Sequence, residues 1–269
     1  MIGVEARRQA KRRRTLYAFL ALVAIPVVVL VALIVNGGPG SSDRGGSPGL
    51  VDVASSSGVN FALFMLLATS QFLLVVVVAL FAGDAVASEA QWGSLRYLLT
   101  RPIPRARLLR TKLVVASAYA AAAVVLVPVA SLGMGAVAFG WSAVQTPLAG
   151  ALGVNTGLSR LTLGTAYVVA TQAVVVALAF WFSTLTDAPL SAVGGAVVLI
   201  VVSEILDQVS ALGTLRNGLP THYWLAWLDL LRDPVDTGQM TTGLLELLPW
   251  VVVPLLLAFR HFGRKDILS

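Results

Sequence analysis

A chain of 269 residues that is 57% hydrophobic and only 12% charged carries about half the charged fraction of a soluble domain. A soluble protein could not easily hide that much apolar surface, so the composition points to an integral membrane protein. The absence of cysteine excludes disulfides, Cys-ligated zinc and thiol nucleophiles, and the formal net charge of +6 takes its meaning from where it falls between the apolar blocks.

The chain opens on a basic arm, residues 1–15, holding Arg7, Arg8, Lys11, Arg12, Arg13 and Arg14. The first apolar block, "LYAFLALVAIPVVVLVALIV", covers Leu16–Val35. Its length approaches the roughly 20 residues a spanning helix needs. It is long for a signal-peptide core, and "NGGPGSS" after it offers no Ala-x-Ala cleavage pattern, so a retained helix is expected. Residues 36–59 are rich in Gly and Ser and read as a flexible loop with a brief ordered piece near its end. Its glycines lack the phosphate-binding pattern of a Walker loop.

The second span is expected over Asn60–Ala82, the third over Leu113–Phe139, the fourth over Leu163–Leu185, the fifth over Leu190–Leu206 and the sixth over Leu244–Gly263. Runs such as Val75–Val78 are strand formers by soluble rules. Their continuous apolar context does not alternate as a membrane barrel would, which favours helices. In the sixth block the membrane segment is expected to begin near Leu247. Pro249 is then acceptable near the helix start, and Pro254 needs a bend or support from neighbours. Residues 140–162 read as a short interfacial or re-entrant helix, or as a plain loop, with Trp141 suited to an interface. In 207–243, "LPTHYWLAWLDLL" reads as a segment lying along the membrane surface. His222 near Asp229 is given a structural or interfacial role.

Fifteen of the nineteen Lys and Arg residues fall in the N-terminal arm, in the segment after span two and in the C-terminal tail; the other side receives Arg44, Arg160, Arg216 and Arg232. By the positive-inside rule both termini are expected in the cytoplasm. Basic residues there can meet anionic lipid headgroups. The segment "EAQWGSLRYLLTRPIPRARLLRTK", Glu89–Lys112, concentrates six of these charges. Asp84–Leu99 is long enough for a short amphipathic helix, which Pro102 and Pro104 stop. It serves either as an interfacial helix with topology-setting charges or as a docking surface for a cytoplasmic partner.

No HExxH, GxSxG or EF-hand pattern is present. The polar groups in apolar context are Gln71, Gln172, Glu204, Asp207 and Glu246. Such groups need partners or a protein-lined cavity. Gln71 and Gln172, near the middle of spans two and four, are expected to join helices by hydrogen bonds, or to touch a polar substrate. Glu204 and Asp207, three apart on one helical side, are candidates for a cation site or an exit path, or form a solvated rim.

The whole chain resembles the permease subunit of an ABC-2-type ATP-binding cassette transporter, most sharply at Glu89, Gly93, Leu95, Arg96, Leu98, Leu99, Arg101, Pro102, Arg105 and Lys112. The tail "FRHFGRKDI" also resembles that family's basic ending. The resemblance implies an all-α membrane protein, one domain over residues 1–269, with six transmembrane helices. A cytoplasmic amphipathic coupling helix would lie between spans two and three, in a coupling region at 84–111. It implies a multi-pass protein of the bacterial inner (plasma) membrane that is not itself an enzyme. ATP and Mg would be bound not by this chain but by a separate cytoplasmic ATP-binding subunit, itself a dimer. A second permease chain, identical or related, would complete an export pathway for an unidentified substrate. Glu89, Gly93, Leu95, Arg96, Leu98 and Leu99 would transmit nucleotide-driven motion, and Arg101 and Pro102 would shape the turn that holds them. Membrane lipid is an expected partner and nucleic acid is not. The alternative is a non-transporting membrane scaffold that recruits a soluble partner.

Overall fold

The computed structural model describes residues 2–35, 49–91, 104–146 and 150–264. Its helices are α1 (Ile2–Ala10), α2 (Arg13–Val35), α3 (Leu50–Ala54), α4 (Gly58–Ser70), α5 (Leu73–Gln91), α6 (Arg105–Phe139), α7 (Val154–Leu185), α8 (Pro189–Asp207) and α9 (Gly238–Arg264). Two strands, β1 (Val144–Thr146) and β2 (Gly150–Leu152), pair antiparallel with Gln145 opposite Ala151. Two 3-10 segments, Ser210–Gly218 and Ala226–Leu231, lie between α8 and α9.

Among the described residues six helices (α2, α5, α6, α7, α8 and α9) are long and apolar enough to cross a membrane. Helices suit that setting because each main-chain N–H and C=O is satisfied within its own segment. The bundle is built on α5 and α7, its most buried spans. They pack on each other, with α6 and α8 against α5 and α9 against α7. Most of the apolar surface of α2 and α9 faces outward, as it does for helices solvated by lipid.

Contacts between chain ends define two poles. At the basic pole Arg12 reaches Asp84, and Arg105 Nη1 donates to the carbonyl of Gly263 at 3.2 Å. At the far pole the Gly58 N–H donates to Gly140 at 3.0 Å, and Arg160 Nη1 donates to the carbonyl of Arg232 at 3.2 Å.

The expected second span differs from the observed one. Helix α4 ends at Ser70, Gln71 caps it, and α5 starts at Leu73. The apolar run is therefore two helices meeting at a turn. The first begins two residues early, because Ser57 caps it by accepting from Asn60 N at 3.2 Å. The second does not stop at Ala82 but continues to Gln91. Asp84 to Gln91 is thus the end of a bundle helix and not the start of a separate amphipathic one; the remainder of that expected helix, 92–99, lies outside the described residues.

Other boundaries also move. Helix α7 starts at Val154, nine residues before the expected Leu163, and the strand hairpin precedes it where a re-entrant helix was one reading. Helix α9 starts at Gly238, so Pro249 lies inside it and not near its start. Residues 207–243 do more than lie on a surface. Trp224, Trp227 and Leu230 are buried, and a Cβ placed on Gly164 of α7 would come within 2.9 Å of Trp227. That close approach lets the indole plug the far pole of the bundle. The brief ordered piece expected near residue 59 is α3.

Candidate functional site: a charged knot at the basic pole

Helix α5 begins as "LLVVVVALFAG", yet its last turns carry Asp84 and Glu89. Both are buried, Glu89 to 1% exposure. Carboxylates withdrawn from water need paired cations and hydrogen bonds, and three elements supply them. From α6, Lys112 Nζ lies 2.7 Å from Glu89 Oε1 and also donates to the Ala85 carbonyl at 2.9 Å. Helix α1 contributes Arg8, at 2.6 Å from the same Glu89 oxygen, and Glu5, at 3.2 Å from Lys112 Nζ. The junction of α1 and α2 contributes Arg12, paired with Asp84 and within 3.3 Å of Ser88 Oγ; Arg14 lies 3.1 Å from Asp84.

Uncharged contacts fix the same junction. Tyr119 on α6 donates its hydroxyl to the Ala6 carbonyl at 2.9 Å, and Thr15 donates to the Gln9 carbonyl at 2.8 Å. From α7, Ser183 Oγ accepts from the main-chain N–H groups of Val86 and Ala87, at 3.0 and 2.9 Å. The last turns of α5 are thereby held by α1, α2, α6 and α7 together. Glu89–Lys112 joins two nearly inaccessible side chains, so its worth depends on geometry and auxiliary hydrogen bonds more than on charge alone. Arg14, with a side chain 62% exposed, contributes far less.

Of the expected coupling residues, Glu89 sits at the centre of this knot. Gly93, Leu95, Arg96, Leu98, Leu99, Arg101 and Pro102 lie outside the described residues. Sequence reasoning passed over Glu5, Arg8, Arg12 and Asp84 as a set. The available signal was two acids inside an otherwise apolar helix, facing a basic arm elsewhere in the chain.

The polar groups within the bundle separate into different roles. Gln172 does join helices: its Nε2 donates to the Ser70 carbonyl at 3.0 Å. That carbonyl belongs to the end of α4, where no further helical turn can satisfy it. Gln71, expected to do the same, is instead exposed at the turn between α4 and α5. Glu204 and Asp207 have different surroundings. Asp207 Oδ1 meets His222 Nδ1 at 2.5 Å and Arg216 Nε at 3.5 Å, whereas Glu204 Oε1 is buried without a hydrogen-bond partner among the described residues. His222 therefore pairs with Asp207, and Asp229 pairs with Arg232 at 3.1 Å. Among the described residues no group of three or more His, Asp or Glu side chains is placed to hold a metal ion.

These observations define a polytopic, all-helical membrane protein with an ion-paired junction at one pole. Residues 47–268 match the family model described as "Protein of unknown function (DUF2705)", and the chain belongs to that family. No curated protein matches the sequence.

Proposed function

We propose that this chain is the membrane-permease subunit of an ATP-driven exporter, coupled to a separate cytoplasmic ATP-binding subunit that binds ATP and Mg. The observation that carries this reading is the knot on Glu89. The segment Glu89–Lys112 resembles the coupling segment of ABC-2 permeases, and its two end residues are tied to each other at 2.7 Å. A force applied between them reaches α5 and α6 at once, and through Ser183 it reaches α7. On this reading the basic pole faces the cytoplasm of a bacterial cell and both termini lie there, as the distribution of Lys and Arg supports. A second permease chain, identical or related, completes the pathway. The chain itself hydrolyses nothing.

The test is purification of the native complex in mild detergent, with its components identified by mass spectrometry and its ATP turnover measured. A stoichiometric nucleotide-binding subunit with ATPase activity is the expected result. An intact, folded preparation that reproducibly lacks such a subunit overturns the permease reading in favour of a scaffold. Within a confirmed complex, Glu89→Gln combined with Arg96→Gln is expected to reduce permease-stimulated ATP turnover at equal membrane insertion. Unchanged stimulation removes those residues from the coupling role.

A further inference from the structure

A crevice of about 820 Å³ opens at the basic pole between the start of α1 and the first turns of α6, lined by Ile2, Gly3, Arg107, Arg110 and Val114 among others. Arg107 and Arg110 are exposed, and neither has an acidic partner among the described residues. The nearest acid on α1, Glu5, is already engaged by Lys112. The crevice therefore presents two guanidinium groups without acidic partners among the described residues, beside the apolar side chains of Ile2 and Val114, which are 53% and 50% exposed.

The same face of α6 continues away from the pole. Arg110, Val114, Ser117, Ala121 and Val124 recur at alternating spacings of four and three, which stacks them in one stripe. Ser117, Ala121 and Val124 line a second cavity of about 290 Å³, with Val169, Gln172 and Ala173 of α7 and Leu255 of α9 on its other sides. From Val114 to Val124 is about 15 Å along a helix axis, which is about half of a hydrocarbon core, or one leaflet. Small side chains such as Ala121 and Ala173 leave this space open.

We propose that this face of α6 holds one anionic glycerophospholipid, with its phosphate headgroup in the crevice at Arg107 and Arg110 and one acyl chain in the cavity beyond Ser117. Charge complementarity selects the phosphate, since arginine guanidinium groups match it in a bidentate fashion. The mostly apolar cavity farther along the same face of α6 selects a lipid over a soluble phosphate. This inference concerns residues outside the Glu89 knot and does not depend on the exporter reading.

The test is native mass spectrometry of the full chain in detergent, titrated with phosphatidylglycerol, with phosphatidylcholine of the same acyl composition, and with glycerol 3-phosphate. One phosphatidylglycerol per chain is expected to be retained at least about tenfold more tightly than phosphatidylcholine. Arg107→Gln with Arg110→Gln should abolish that preference, and Arg260→Gln with Arg264→Gln, which removes the same charge elsewhere at the pole, should leave it intact. Ala121→Trp, which fills the cavity without changing charge, should weaken both lipids. Equal retention of the two lipids by the unaltered chain overturns the proposal, and that comparison needs no variant to fold. So does an unchanged preference in the Arg107/Arg110 variant. Glycerol 3-phosphate competing as well as the lipid would show a site for free phosphate instead.

Discussion

Lys112 Nζ and Glu89 Oε1 lie 2.7 Å apart, with the two side chains only 2% and 1% exposed. The pair ties the end of α5 to the start of α6. Removing one member of a buried pair strands the other charge, whereas removing both removes the desolvation cost as well. Lys112→Met is expected to destabilise the protein by about 3 kcal/mol, and Lys112→Met with Glu89→Leu by clearly less. Thermal unfolding in a single detergent, followed by tryptophan fluorescence, checks this. A double variant whose loss equals the sum of the two single losses would falsify the coupling.

The two glutamines are expected to behave oppositely. Gln172→Leu leaves the Ser70 carbonyl without its donor and should cost about 1.5 kcal/mol. Gln71→Leu removes an exposed amide and should leave the stability of the isolated chain unchanged or slightly raised. The same unfolding assay distinguishes them, and equal losses would contradict the assignment of the joining role to Gln172 alone.

Gly58 and Gly135 let α4 and α6 approach each other closely. A Cβ on Gly58 would stand 2.6 Å from the Ala136 nitrogen, a main-chain atom that cannot rotate away, whereas a Cβ on Gly133 would meet nothing within 4 Å. Gly58→Ala is expected to cost about 2 kcal/mol by forcing the two helices apart. Gly133→Ala should be neutral or slightly stabilising, because alanine is the better helix former. Comparable midpoints for the two variants would refute this packing account.

An exposed amide at a mid-bundle helix break is costly in lipid unless a partner covers it. On the reading that a second permease chain completes the pathway, that chain covers Gln71. Because the sequence has no cysteine, Gln71→Cys offers a clean probe: mild oxidation in native membranes should give a disulfide-linked pair. Leu190→Cys, 84% exposed at the start of α8, should give none. A Gln71→Cys chain that stays monomeric on oxidation places the contact elsewhere.

Six apolar helices are legible in the sequence because each block carries its own signal over enough residues to span a bilayer. What escaped was set by distant contacts. "ATSQFLL" reads as an apolar helix passing over three polar residues, and its division at Gln71 depends on Gln172, a hundred residues away, to satisfy the exposed end of α4. Asp84 looked like the point where a span ends, since an unpaired carboxylate ends spans. It stays inside α5 because Arg12 and Arg14 reach it from the other end of the chain's first half. His222, given a structural or interfacial role, takes that role through Asp207, fifteen residues earlier in the chain, which no local spacing signals. Gly93 to Pro102, which carry most of the resemblance, lie outside the described residues.

The turn at Gln71 and Phe72 gives the second span an unusual mechanics. Helix α4 is fastened at the far pole, through Gly58 to Gly140 and through Asn60 Nδ2 to the Gln145 carbonyl at 2.6 Å. Helix α5 is fastened at the basic pole through Asp84 and Glu89. An unbroken rod would carry a twist from one pole to the other; two short levers meeting at a pivot do not. Torque applied at Glu89 leaves α5 sideways, through Lys112 into α6 and through Ser183 into α7, and it re-enters α4 along its packing on α6 and where Gln172 grips Ser70. The lengths of α6 and α7, rather than the span's own backbone, then set how far a small rotation at one pole displaces the other.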